Sequence, residues 1–507
     1  MAACGQVVLQ PRTMPKVGEV DARFVSYNVE AVEVTGGRFW KPYASKGESA
    51  VGKSNQNQPA GLDQSLYQYR APIDLANPRL RKLASALSPA YVRVSGTWRN
   101  STYFQDDDLP AMSTPPKGFN GVMTRAQWKG VVEFAHATSG EIVTSVATSA
   151  GTRDEKGLWT ADQAKAFFDY SQKIGGRIAA TEFMNEPSFA FNGGAAPDYN
   201  AKKYSDDVKV FKTFLRKQSS GTMFLGPGSV GEGIPLVPGS ATMPKMIATE
   251  DMLKESGPVY DAFSYHFYGT ISKRCTGLLG PNAQTSPDIL LTPDWLNRNV
   301  VVEEFYAKLR DQYLPGKAMW LTETGEAGCG GDPWASQFVE TFRYVDQLGT
   351  LAKKNVKVVM QNTLASSDYG FLDEDTLDPR PNFWAAVLWK RTMGERVLDA
   401  GVASTAGVRV FAHCMKGAQG GVALVVLNMD AHTEAAFHLP IMGRVYRLSA
   451  PDVFSRIVRL NGVDLKARVD GTLPNLGGEV VRAGTLRVAP LTIDFVTLPT
   501  ARNSNCM

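Results

Sequence analysis

No stretch of about 18 consecutive apolar residues occurs in the 507-residue chain, so no membrane-spanning helix is expected. Cysteine is scarce. Five in so long a chain build no disulfide framework, no pair has metal-ligand spacing, and the odd count leaves at least one thiol free or paired between chains. Neither sign of charge dominates: 54 Lys and Arg face 50 Asp and Glu, for a net +4 and a pI of about 8.6. No long run concentrates the basic residues, so a nucleic-acid partner is not expected, although a local basic groove for an acidic glycan is compatible with this balance. There are no internal repeats or low-complexity segments. The opening MAACGQVVLQPRTMP has neither the basic nor the apolar segment of a signal peptide. Two origins stay open, a cytoplasmic protein or the mature chain of a secreted or periplasmic one beginning at a new Met.

What the chain does have is length for one large domain and a smaller one. After a short strand and linker over residues 5–20, alternating strand and helix signals begin at Ala22. Strands are expected at 24–29, 90–94, 142–147, 178–183, 223–226, 262–266, 319–322 and 356–361, with amphipathic helices at 125–137, 161–174, 204–217, 300–313 and 335–354 among the segments between them. Eight such units in parallel close most naturally into a (β/α)8 TIM barrel. From residue 397 the texture becomes short alternating apolar runs with turns, the pattern of an antiparallel β-sandwich. The expected division is therefore a barrel over 22–396 and a sandwich over 397–507, which residues 1–21 join with one strand. Two long loops, 37–74 and 269–292, start at the end of the barrel where catalytic residues collect.

The stretch RIAATEFMNEPSF, residues 177–189, carries the chemistry. Its run is nearly continuous in apolar residues, as a parallel strand covered on both faces requires, and it delivers Asn185, Glu186 and Pro187 where the strand stops. A second run, AMWLTET at 318–324, ends likewise in Glu323 before a glycine-rich turn. Two glutamates at strand ends are what hydrolysis of a glycosidic bond needs, one carboxyl protonated to release the leaving group and one ionised to attack or to activate water. Glu326 is a rival for Glu323, which is preferred because it directly ends the apolar run.

These segments, together with ALSPAYVRVSGT, SYHFYG, WLTETGEAGCGG, SDYGFLDEDTLDPRPNFWAAVLWK and APLTIDFVTLP, make the chain resemble glycoside hydrolase family 79, the heparanase and β-glucuronidase group. The resemblance implies Glu186 as general acid/base and Glu323 as nucleophile of a retaining double displacement, their carboxyls about 5 to 5.5 Å apart. It implies further that Asn185 binds the sugar 2-hydroxyl, that Tyr268 donates to Glu323, and that Glu30 and Thr97 touch sugar hydroxyls. His266 faces the same way as Tyr268 on its strand. A uronic acid carboxylate would be held by backbone N–H groups of Gly330 and Gly331 and by Tyr369. The turn GEAGCGG is one residue longer than the family pattern and carries a cysteine, so the identity of the amide donors stays open.

A disulfide between Cys329 and Cys275, on neighbouring loops, is expected. It would indicate an oxidising compartment, hence a secreted or periplasmic protein. Asn100, in a glycosylation sequon at the barrel mouth, is expected to be unmodified. No metal or cofactor is implied. The resulting expectation is an exo-β-glucuronidase whose partner is a glucuronide or a glucuronate-containing oligosaccharide. The alternatives are an endo-acting heparanase-like enzyme, a related glycosidase of other specificity, and a non-catalytic glycan-binding protein; the oligomeric state is not indicated.

Overall fold

A computed structural model describes residues 7–43, 64–234, 246–275 and 286–507. Parts of the N-terminal strand and of both long loops anticipated above therefore lie outside the described residues. Eight parallel strands close a barrel: β1 (Val25–Glu30), β2 (Ala90–Ser95), β3 (Gly140–Thr144), β4 (Ile178–Glu182), β5 (Met223–Ser229), β6 (Ala262–Tyr268), β7 (Met319–Gly325) and β8 (Val356–Gln361). β8 pairs back onto β1 through Val359 and Val25, which completes the (β/α)8 ring.

Most limits follow the apolar runs. The third strand, expected at 142–147, stops at Thr144 because side chains take the backbone that follows. Arg99 Nε donates to Ser145 O at 3.0 Å, and Trp159 Nε1 donates to Ala147 O at 2.9 Å. Residues 145–147 stay buried without a ladder partner.

Inward-facing residues sort by height. Tyr91, Val143, Ala180, Leu225, Ala262, Trp320, Val358 and Met360 form one apolar layer near the strand starts, with the Tyr91 and Trp320 rings 4.8 Å apart. Two residues further along β2 and β4, the inward positions become Arg93 and Glu182, both fully buried. The barrel is thus closed below by packed rings and charged above. A bulge in β7 adds a second inward side chain. Tyr265 sits opposite Leu321 but His266 sits opposite Glu323, so Thr322 is the extra residue and both Thr322 and Glu323 reach the interior.

The C-terminal region is a sandwich of two sheets. The larger runs Lys16–Glu19, Met393–Leu398, Val408–Met415, Val422–Asn428, Thr492–Leu498, Gly443–Ser449 and onward; the smaller joins Val7–Val8, Ala435–Leu439 and Gly484–Val488. The boundary expected at residue 397 falls inside the strand Met393–Leu398, which follows the helix Pro381–Thr392 directly. Strand Val422–Asn428 shows how barrel and sandwich join. Val422, Leu424 and Val426 face the sandwich core, while Ala423, Val425 and Leu427 belong to the core shared with the barrel helices, so every residue is buried. Beside it Phe411 lies flat on helix Phe338–Lys353, where a Cβ on Gly349 would come within 2.3 Å of the ring. A disulfide not foreseen in the sequence, Cys414–Cys506, pins the C-terminal turn to strand Val408–Met415.

Phe411→Ala should destabilise the protein by about 3–5 kcal/mol, the usual cost of emptying a buried aromatic site. Denaturant unfolding followed by tryptophan fluorescence would measure it. A change below about 1 kcal/mol would show that barrel and sandwich do not depend on this contact.

Candidate active site

The buried guanidinium of Arg93 is the hub of the barrel mouth. Its Nε and Nη2 donate to Glu182 Oε2 at 3.0 and 2.8 Å, Nη1 donates to Glu323 Oε2 at 2.9 Å, and Nη2 also donates to Asn185 Oδ1 at 2.8 Å. Nη2 lies in addition 3.2 Å from His266 Nε2. Glu182 is saturated below by Ser264 Oγ and Thr322 Oγ1, each 2.8 Å from Oε1. Burial pushes the Glu182 carboxyl up, but the Arg93 charge and these donors hold it below its usual value. It is a structural counter-ion, closed off from the mouth.

Because a guanidinium only donates, His266 Nε2 must accept, and the imidazole proton sits on Nδ1. Nδ1 is 3.1 Å from Glu186 Oε1 and so donates to it. Burial lowers the His266 pKa to about 4 against the pull of Glu323, which keeps the ring neutral through the physiological range. Glu186 itself keeps a fifth of its side chain open to solvent. Its pKa is raised to about 7 by burial, with Arg93 lowering it and Glu182 raising it. A carboxyl that is protonated near neutrality is an acid ready to give up a proton.

The local fold explains why Glu186 stands there. Its backbone is left-handed, with φ 49° and ψ 61°, before Pro187 opens a short 3-10 helix. Such a conformation persists only where the surroundings enforce it. Asn100 does so from the loop after β2: its Oδ1 accepts from Asn185 N–H and its Nδ2 donates to Asn185 O, both at 2.9 Å. Asn100 is 1% exposed and both atoms of its amide are used, so no glycan fits there in the folded protein.

Glu323 accepts on both oxygens, from Arg93 Nη1 and from the Tyr268 hydroxyl at 2.7 Å. Asn362, at the end of β8, ties the remaining site residues together. Its Nδ2 lies 3.1 Å from Glu30 Oε1, 3.0 Å from the Tyr268 hydroxyl and 3.2 Å from the Tyr369 hydroxyl. Glu30 rests on Gly96, where a Cβ would fall 1.5 Å from Oε2; the glycine (φ +94°) is required by this approach. Burial and the Glu323 charge push the Glu30 carboxyl well up. Thr97 follows Gly96 and is half-buried, bonded to none of these residues. In the glycine turn, Gly331 N–H is given to Ala327 O at 3.2 Å, while Gly330 N–H has no acceptor among the described residues. Glu326, the rival carboxylate, is fully buried and accepts from Asp332 N–H and Trp334 Nε1, each at 2.9 Å, which makes it a brace of that turn.

Glu186, His266 and Glu323 present ligand atoms within 4.8 Å of one another, the one such cluster among the described residues. It suits a metal ion poorly, because the Arg93 charge already contacts Glu323 and His266. What it offers is two carboxyls whose oxygens face each other across a gap of less than 4.8 Å. Arg93, Glu182 and Asn362 were not singled out in the sequence. For the first two the signal was there: a charge inside a parallel-strand run, YVRVS and IAATE, has no bland place to go.

A (β/α)8 barrel whose mouth holds paired carboxyls around a buried arginine belongs with the barrel glycosidases. The family description Glycosyl hydrolase family 79, N-terminal domain, matches residues 66–349. The chain belongs to that heparanase-like family and is a glycoside hydrolase. It is 26% identical to heparanase-like protein 2 of Arabidopsis thaliana, covering 87% of this chain and 89% of the relative. Heparanase of Mus musculus is 26% identical over 85% and 88% of the two chains, and baicalin-β-D-glucuronidase of Scutellaria baicalensis 26% over 84% of each. Among solved structures, a 4-O-α-L-rhamnosyl-β-D-glucuronidase from Fusarium oxysporum superposes with TM-score 0.64 over 97% of this chain and all of that one. At 12% identity this bears on the fold alone.

Arg93→Met should lower stability by about 3–5 kcal/mol, since it strands Glu182 and Glu323 in the core without a cation. The sign with pH follows from Glu182, whose lowered pKa makes its ionised form part of the native state. The variant's deficit should be largest near pH 7 and shrink as pH falls and the carboxyls protonate. Chemical denaturation of both proteins at pH 7 and pH 4 checks this. An equal deficit at both would mean Arg93 acts by packing alone.

Proposed function

We propose that the protein is a retaining exo-β-glucuronidase, in which Glu323 attacks the anomeric carbon while Glu186 protonates the departing oxygen. The glycosyl ester on Glu323 is then hydrolysed by a water that Glu186, now ionised, deprotonates. The carrying observation is the short gap between one oxygen of each glutamate, within 4.8 Å, well below the separation of about 6.5–9.5 Å that an inverting pair needs for its water. Burial of Glu186 supports its role as the acid, and the donors on both oxygens of Glu323 support its role as the nucleophile, because they spread the charge it carries into the transition state.

Polar atoms that lack a partner among the described residues support a sugar site here. Asn185 Nδ2 and Glu30 Oε2 are buried and unpaired, and with the Thr97 hydroxyl they suit sugar hydroxyls. The Gly330 N–H and the Tyr369 hydroxyl, whose oxygen accepts from Asn362 and whose hydrogen has no acceptor among the described residues, suit a uronate carboxylate. Relatives named as glucuronidases support that choice of sugar. Exo action is supported by the hairpin Gly37–Trp40 with Tyr67–Arg70, which walls this side of the mouth. Trp40 lies against Gly330, and Arg70 bonds Ser366 and the Ala365 carbonyl of the β8 loop. We read residues 22–396 as the catalytic part and 1–21 with 397–507 as its brace. The two disulfides favour a secreted or periplasmic setting.

Turnover of 4-nitrophenyl β-D-glucuronide should exceed that of the β-glucoside and β-xyloside, with configuration retained by NMR. Glu186→Gln should lower kcat by about 10²- to 10⁴-fold, and less for a dinitrophenyl leaving group that needs no proton. Preference for a neutral sugar would sink the carboxylate assignment. Depolymerised heparan sulfate without free glucuronate would replace exo by endo action.

With its pKa at about 7, Glu186 is protonated below that pH and loses the proton above it. The kcat/KM of the glucuronide should therefore fall as pH rises through about 7, and Glu186→Gln should abolish this limb. A limb that persists in the variant would move the acid to another group.

A further inference from the structure

The turn after β7 has an expensive backbone. Cys329, Gly330 and Gly331 follow one another at φ of 60°, 86° and 84°, and for a non-glycine such as Cys329 the left-handed region is sterically unfavourable. Two adjacent residues of the loop after β6 hold this turn. Cys275 is bonded to Cys329. Arg274 uses its whole fork around it: Nη2 donates to Gly331 O at 3.2 Å and to Asp368 Oδ2 at 2.6 Å, Nη1 donates to Lys41 O, and Nε donates to Ser272 Oγ at 3.3 Å. Its backbone N–H donates to the Tyr43 hydroxyl at 3.0 Å, and the guanidinium lies 4.2 Å over the Tyr43 ring.

This arginine is therefore a strut between four segments: the β1 hairpin, the β6 loop, the β7 turn and the β8 loop. Its side chain is 8% exposed and its charge is answered by Asp368, so it has little left for a substrate. The carbonyls of both turn glycines are engaged from the protein side. Gly330 O accepts from Asp368 N–H at 3.1 Å and Ser367 Oγ at 2.9 Å, and Gly331 O accepts from Arg274. The buried Gly330 N–H is left without an acceptor among the described residues, a cost that an anion in the mouth would remove.

We infer that Arg274, with the adjoining Cys275–Cys329 bond, is the positioning device for sugar-carboxylate recognition, acting through the turn whose Gly330 amide meets the uronate. The inference rests on the glucuronidase reading above. It predicts a specificity effect, because the strut bears on the carboxylate side of the sugar and touches neither Glu186 nor Glu323.

The test compares wild type, Arg274→Gln, Arg274→Lys and the double variant Cys275→Ser/Cys329→Ser on 4-nitrophenyl β-glucuronide and β-glucoside. Loss of charge-assisted hydrogen bonds should raise KM for the glucuronide about 10- to 100-fold in Arg274→Gln, with kcat little changed. The glucuronide-to-glucoside ratio of kcat/KM should fall by a similar factor, and added ethylguanidine should restore part of it. Lysine should rescue little, since it lacks the planar fork. Equal losses on both sugars, or a fall in kcat alone, would overturn the inference and leave Arg274 as ordinary packing. If Arg274→Gln does not fold, the serine double variant carries the same comparison. A wild type that does not prefer the glucuronide defeats the underlying reading, so the two failures are told apart before any variant is made.

Discussion

One buried cation sets the electrostatics of the barrel mouth. Taking a guanidinium out of water costs several kcal/mol, and only close carboxylates with good geometry offset it. Arg93 meets this with Glu182 beneath it and Glu323 beside it. The same cation cannot serve every acid nearby. Glu186 and Glu30 lie within its field but touch other groups, and both are pushed up by burial. The different settings of two chemically identical glutamates, Glu323 and Glu186, thus follow from which of them the arginine contacts.

Arg93 also decides the histidine. Since it can only donate, it fixes the tautomer of His266 and sends that ring's proton toward Glu186. Acid, histidine, arginine and second carboxylate form one connected chain across the mouth, and the apolar ring layer below keeps water from reaching it through the barrel. In a dry interior such a network is strong when every member is satisfied and costly when one is missing.

Recognition is built differently from catalysis. In the proposed roles, Glu323 stands on β7 and is held by the barrel ladder, and Glu186 lies just past β4 and is held through Asn100, whereas the glycine turn and Tyr369 stand on loops that the ladder does not hold. Those loops are fastened to one another by Arg274, Asp368 and the Cys275–Cys329 bond, and the hairpin of the β1 insertion is drawn into the same brace through Lys41, Tyr43 and Trp40. A rigid scaffold carrying separately braced loops lets chemistry and specificity vary apart.

By itself the sequence determined the barrel and the sandwich, because each rests on local information, and it singled out Glu186 and Glu323. Apolar runs covered on both faces read as parallel strands, and a carboxylate at the end of such a run has few other reasons to be there. The Cys275–Cys329 pairing was also within reach once the two loops were placed side by side. Only the tertiary structure decided which groups meet. Arg93 and Glu182 lie 89 positions apart in the chain, and Asn362 reaches Glu30 across 332. The bulge that turns Glu323 inward, the left-handed backbone at Glu186 and the second disulfide depend equally on partners distant in sequence. Patterning reveals what each strand presents, but a protonation state or a tautomer is a property of the assembled site.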